Sequence, residues 1–143
     1  MRVCPPMSSA VSALALSTCG RWLATADETG WLQLWVLEDL VTRGASAAVY
    51  PAARQRPSPA AGAINSMSFN QAGAAGGAQL ACDTGYGCSV FDVTARTSMA
   101  PGVRLSKVAE SPASHADQAF CVSWAGGYVC SGDLSGSVRM WRP

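Results

Sequence analysis

VCSGDLSGSVRMW (129–141) aligns without a gap on LATADETGWLQLW (23–35). Apolar residues coincide at Val129/Leu23, Val138/Leu32 and Met140/Leu34, and small polar Ser131 falls on Thr25. Asp133 falls on Asp27, Gly136 on Gly30, and Trp141 on Trp35. Apolar and polar residues alternate with period two on either side of the Gly, the pattern of two strands that each bury one face. The Gly sits between them, where a hairpin wants a positive φ. Upstream, FCVSWAGGY (120–128) and VSALALSTCGRW (11–22) each give a short alternating run, a Gly-containing turn and an aromatic residue. The unit is therefore three antiparallel strands closed by a Trp, and it occurs at least twice.

A weaker third copy lies between these two. INSMSFNQ (64–71) alternates, although its larger apolar residues do not all share one face. A Gly/Ala-rich turn follows, then QLACDTGYGCSVFDV (79–93), with Phe91 in the place of the Trp and Gly87 in the place of the turn Gly. The closing aromatics are spaced more widely than the ~40–45 residues of a four-stranded propeller blade, so the excess is loop. A fourth, outer strand per copy is expected in the intervening segments, at 46–50 and 103–108. The chain then divides into blade-like repeats at 8–40, 64–94 and 114–143. A Pro/Ala-rich linker at 41–63 and a second linker at 95–113 separate them.

Bulk properties narrow the functional classes. Half of the 143 residues are apolar (49%) and 13% are charged, enough apolar surface for one ordinary core. Ten basic and nine acidic side chains leave a net charge of +1, which gives no electrostatic footprint for nucleic acid. No apolar run approaches the ~20 residues of a membrane-spanning helix. The six cysteines form no C-x-x-C pair and there is one His, so no metal or cofactor is expected. Cys82, Cys121 and Cys130 lie in apolar strand-like runs and read as small buried hydrophobes in a reduced, cytoplasmic protein. The acid-free, Ser-rich N-terminus leaves a targeting segment as the alternative.

The first and third copies resemble WD repeats. Residues 131–141, SGDLSGSVRMW, carry the resemblance most specifically, and ATADETGWLQLW (24–35) carries it less so. It implies an all-β fold of about three antiparallel propeller-like blades, an incomplete propeller. In that family an Asp just before the turn Gly joins a hydrogen-bonded set with a His, a Ser/Thr and the Trp. Here that position is Thr29 in the first copy and Ser135 in the last. The set is then expected only in part, from His115, Ser131 and Trp141, while Thr25 and Trp35 hold the matching blade positions. The middle copy resembles the first blade of the PROPPIN family, phosphoinositide-binding propellers of autophagy. Phe69, Asn70 and Gln71 match its turn, and Leu80, Ala81, Thr84, Gly87, Val90 and Phe91 match its strand pair. The family Gly is Asp83 here and the aromatic after the turn is Cys88. The Arg-Arg lipid signature of that family has no counterpart in the chain.

Few residues suggest chemistry. The carboxylates fall in turns and at strand ends and read as turn-solvating. His115 near Asp117 has Ser neighbours, but no G-x-S-x-G elbow exists, so a structural His is the better reading. GAAGG (73–77) has no Lys after it and is not a phosphate loop. Trp35 and Trp141 are expected in the core, and Trp22 and Trp124 half buried. Trp31 lies one residue out of phase with Leu32 and Leu34 and can face a partner, as can Arg54 and Arg56 in the linker. The expected function is a non-catalytic scaffold for other proteins, in a fragment of a longer propeller or a subunit that oligomerises or joins an assembly. The alternatives are a PROPPIN-like phosphoinositide binder at a membrane and an enzyme using His115.

Overall fold

The computed structural model describes residues 7–42, 50–58, 62–70, 77–95, 102–112 and 114–143. Among these residues three antiparallel sheets follow one another. The first runs in the order β1 (Val11–Leu16), β2 (Trp22–Asp27), β3 (Leu32–Val36) and β4 (Ala53–Gln55). The second contains β5 (Met67–Asn70), β6 (Ala78–Asp83), β7 (Cys88–Ala95) and β8 (Val103–Glu110), again in sequence order. The third contains β9 (Ala119–Ala125), β10 (Tyr128–Asp133) and β11 (Val138–Trp141). The innermost strands β1, β5 and β9 are in contact in turn, and the outer strands β4 and β8 also meet, so the second sheet lies between the other two. These are propeller blades. One short helix, α1 (Leu37–Thr42), follows β3, with Glu38 and Asp39 in its first turn where the peptide dipoles favour acids.

Two cores hold the blades together. Between the first and second sheets, Trp22, Ala24, Ala26, Leu32 and Leu34 meet Ile64, Leu80, Cys82, Phe91 and Val93. Between the second and third, Ala81, Cys88 and Val90 meet Val122 and Val129, with Trp124 and Trp141 partly buried against them. The middle sheet is thus covered on both faces. Ile64, Met67 and Phe69 all pack toward the first sheet, while Ser66 and Ser68 bond to the third-sheet backbone at Val122 and Trp124; the alternation in 64–71 is broken because Ile64 lies before β5 begins.

Several expectations change. The outer strand of the first blade is β4, at Ala53–Gln55 inside the Pro-rich linker, and Tyr50 is in no strand; 46–49 lies outside the described residues. β4 is only three residues long, as Pro51 and Pro57 on either side lack the N–H that a ladder needs. The outer strand of the second blade, β8, includes 103–108. Trp22 is fully in the core, whereas Trp141 is half buried. Cys82 is buried, but Cys121 is exposed and Cys130 half buried, because they lie on the face of the third sheet turned away from the second. Asp27 and Asp83 are completely buried rather than solvated; Asp27 still serves its own turn through the Thr29 and Trp31 amides, while Asp83 accepts the amides of Asn65 and Ser66.

The turns explain the weak middle copy. Gly30 and Gly136 have φ of 80° and 86° and close identical three-residue loops, in which the Gly amide donates to the carbonyl of Asp27 or Asp133. In the middle copy the positive-φ glycine is Gly85, at 92°, and Gly87 is not in that region. There the loop has two residues, with the Thr84 amide donating to Gly87 O at 2.9 Å. Gly87 is required for a different reason: a Cβ there would lie 2.6 Å from Ser111 Oγ, which accepts the Cys88 amide. A loop one residue shorter shifts the face on which each side chain lies. Asp27 and Asp133 share a face with the residue opposite the closing Trp, whereas Asp83 lies on the opposite face from Leu80, the partner of Phe91.

Candidate functional site

The polar sets of the first and third blades are built around the carboxylate at the end of the second strand. Asp27 accepts the Thr29 amide (3.0 Å), the Thr29 hydroxyl (2.7 Å), the Trp31 amide (3.0 Å) and the Ser8 hydroxyl (3.2 Å). Burial pushes this carboxyl up, but the Thr29 hydroxyl, the Trp31 and Thr29 amides and Ser8 together hold it below the usual carboxylate range. In the third blade Asp133 accepts the Ser135 hydroxyl at 2.6 Å and the Ser137 amide at 2.9 Å, and its second oxygen faces His115 Nδ1 at 2.9 Å. The Ser135 hydroxyl, opposed in part by burial, leads the shift of Asp133 down to about 2, and the Ser137 amide and His115 add to it.

The hydroxyls at positions 29 and 135, where the WD pattern has Asp, thus serve a carboxylate two residues earlier. An ionised carboxylate only accepts, so His115 Nδ1 donates to Asp133 and, in the neutral ring, Nε2 accepts the Ser131 hydroxyl at 2.7 Å. His115 is held in place because its amide donates to the Tyr86 carbonyl of the second blade's hairpin. Trp141 does not join Ser131: its indole N–H donates to Cys88 Sγ in the neighbouring blade at 3.3 Å. In the first blade the indole of Trp35 donates to Thr25 Oγ1 at 2.9 Å, and Ser8 stands where His115 stands in the third. Asp27 and Asp133 were visible as an aligned pair in the sequence. Ser8 had no signal, since a Ser before a strand is ordinary.

Ser131, His115 and Asp133 line up as in a hydrolase relay. Ser131 is only 2% exposed and His115 5%, so the hydroxyl is closed to a substrate. Among the described residues, no three His, Cys, Asp or Glu side chains converge as a metal site. No helix among them is long and apolar enough to cross a membrane.

A second constellation reaches solvent. Trp31 follows the positive-φ Gly30, and its amide is fixed by Asp27. β3 pairs with β4 so that Gln33 lies opposite Arg54 and Leu32 opposite Gln55, which carries Arg56 to the position opposite Trp31. Arg54 and Arg56, two residues apart, project from the same side of the strand. Both guanidiniums lie over the indole ring, at 4.1 Å and 5.2 Å from its centroid. Arg56 donates to the Thr29 carbonyl at 2.8 Å, and Arg54 reaches the Ser8 hydroxyl at 3.4 Å. The structure therefore brings together the three residues that the sequence offered for a partner, on a half-exposed indole held by two exposed cations. A separate groove of about 460 Å³ on the second blade is lined by Thr84, Tyr86, Gly87, Glu110, Ser111 and Ser114.

The chain is similar in structure to the β-propeller domain of Cps50 (Swd1) from Myceliophteria thermophila, with a TM-score of 0.61 and 13% sequence identity. The match covers 96% of this chain and 41% of that one, so the chain spans less than half the length of this relative. It also matches the computationally designed Ika4 protein (TM-score 0.44, 11% identity, 98% of this chain and 95% of that one). A chain of the Mitotic Checkpoint Complex matches with a TM-score of 0.42 and 12% identity, over 96% of this chain and 52% of that one. No protein-family model matches the sequence, and neither does any curated protein. The similarity to Cps50 shows the fold: these are β-propeller blades.

Proposed function

We propose that this chain is a non-catalytic protein-interaction platform, with Trp31, Arg54 and Arg56 as its contact point on the first blade. One observation carries this reading: an indole at the end of a rigid hairpin, half open to solvent, with two guanidiniums laid over it. Trp and Arg are the residue types most enriched among the few that dominate binding energy at interfaces. Here their rotamers are already restrained by the cation–π contacts and by bonds to Thr29 and Ser8, so little side-chain entropy remains to be lost on binding. The polar set of the third blade serves stability, since the Ser131 hydroxyl and the His115 imidazole are buried.

The test is affinity capture of partners by the full chain and by two single variants, with quantitative mass spectrometry. Trp31→Ala should lose the specific partners, while Tyr86→Ala, at a more exposed aromatic on the second blade, should keep them. Unfolding curves should nearly coincide for all three proteins. Retention of the same partner set by Trp31→Ala would refute the assignment.

A further inference from the structure

We infer that the Trp31–Arg54–Arg56 surface binds an extended acidic segment of a partner protein, with carboxylates on alternate residues. This rests on the interaction-platform reading and adds the chemistry of the partner. Each guanidinium carbon lies over the indole, and one N–H of each is spent on Ser8 Oγ or the Thr29 carbonyl, which leaves further donors of the five for a carboxylate, the group for which Arg outperforms Lys. Among the described residues neither Arg is in an ion pair with a carboxylate. The two acids of the Trp31 hairpin are accounted for. Asp27 lies buried beneath the hairpin, bonded to Thr29, Trp31 and Ser8, and offsets one positive charge from below through Ser8. Glu28, in the same turn, is exposed and pairs with neither Arg.

The spacing sets the register. Arg54 lies in β4 and Arg56 one residue past its end, where it continues the register opposite Trp31; two extended residues span about 7 Å. An extended peptide repeats its side chains at the same interval, so carboxylates at positions i and i+2 meet the two guanidiniums in turn. Among the described residues β4 is the last strand of its sheet, with β3 on one side and no strand hydrogen-bonded on the other.

The experiment is fluorescence anisotropy with the full chain and a fluorescein-labelled peptide carrying glutamate at every second position. The controls are a glutamine version and a version with its glutamates in one block. The alternating peptide should bind tightest and the glutamine peptide should not bind. Each of Arg54→Gln and Arg56→Gln should weaken binding by ~5-fold, the upper range for a solvent-exposed ion pair. Replacing both by Lys should weaken it as well, although the charge is kept, because the planar two-donor fork is lost. Binding should fall steeply with salt. Equal binding of the glutamine peptide, or unchanged binding by the double Gln variant, would overturn the inference. So would recruitment to vesicles containing a phosphoinositide in the absence of peptide binding. If the peptide fails to bind while Trp31→Ala still abolishes partner capture, the acidic class is wrong and the platform reading stands.

Discussion

His115→Ala probes the polar set of the third blade most directly. The ring joins Asp133 Oδ2 at 2.9 Å and Ser131 Oγ at 2.7 Å, and the Asp133 and His115 side chains are 0% and 1% exposed. Asp133 keeps its bonds to Ser135 and Ser137 through Oδ1, so only its second oxygen is orphaned. Loss of a bond to a charged acceptor costs ~1.5–3 kcal/mol, and loss of the neutral bond to Ser131 adds ~0.5–1.5 kcal/mol. The expected destabilisation is about 3 kcal/mol, or roughly 10 °C in Tm for a chain of this size. His115→Asn can still donate toward Asp133 but cannot reach Ser131, so about half of the loss should return. Urea unfolding followed by tryptophan fluorescence measures both variants. A loss below ~1 kcal/mol for the alanine variant, or equal losses for the two, would show that the imidazole is not paired as described.

Further predictions follow from the other buried groups. Burial pushes the Asp83 carboxyl up to about 6, against the opposing amides of Ser66 and Asn65. A raised acid pKa favours the neutral form in the fold, so stability is greatest below the unfolded value near 3.9. It should fall by an order of ~3 kcal/mol as pH rises to about 6, and Asp83→Asn should flatten that slope in urea titrations from pH 4 to 7. Asp133, held low, acts in the opposite sense: its contribution is present above the unfolded carboxylate pKa and is lost as pH falls toward 2. Thr25→Val leaves the buried Trp35 indole N–H without its acceptor and should cost ~1–3 kcal/mol by thermal denaturation. Gly87→Ala drives a methyl to 2.6 Å from Ser111 Oγ and should cost ~1–2 kcal/mol. Added to Ser111→Ala it should cost less than the two separate losses together, a coupling of ~0.5 kcal/mol or more in a double-mutant cycle.

Much of the architecture could be read from period-two alternation and the repeated D-x-x-G-x-apolar-x-apolar-W unit. Those patterns report on one sheet and its own hairpin, and local rules govern both: a three-residue loop needs a positive-φ Gly, and a half-buried strand needs alternation. They therefore determined three antiparallel blades, the aligned Asp27 and Asp133, and the matching blade positions of Thr25 and Trp35, which the structure joins by a hydrogen bond. What the pattern could not determine depends on neighbours distant in sequence. The middle blade packs against a sheet on each face, and its loop is one residue shorter, which moves Asp83 to the opposite face although its distance to the closing aromatic is unchanged. The outer strand settled at Ala53–Gln55 because that segment can reach β3 while its flanking prolines need no ladder partner. Nothing local placed Ser8 against Asp27, His115 against the second blade's hairpin, or Arg54 and Arg56 over Trp31. These contacts join residues 18 or more positions apart. They exist only once blades and strands are packed, for packing alone decides which polar groups are buried together and which cations are left facing water.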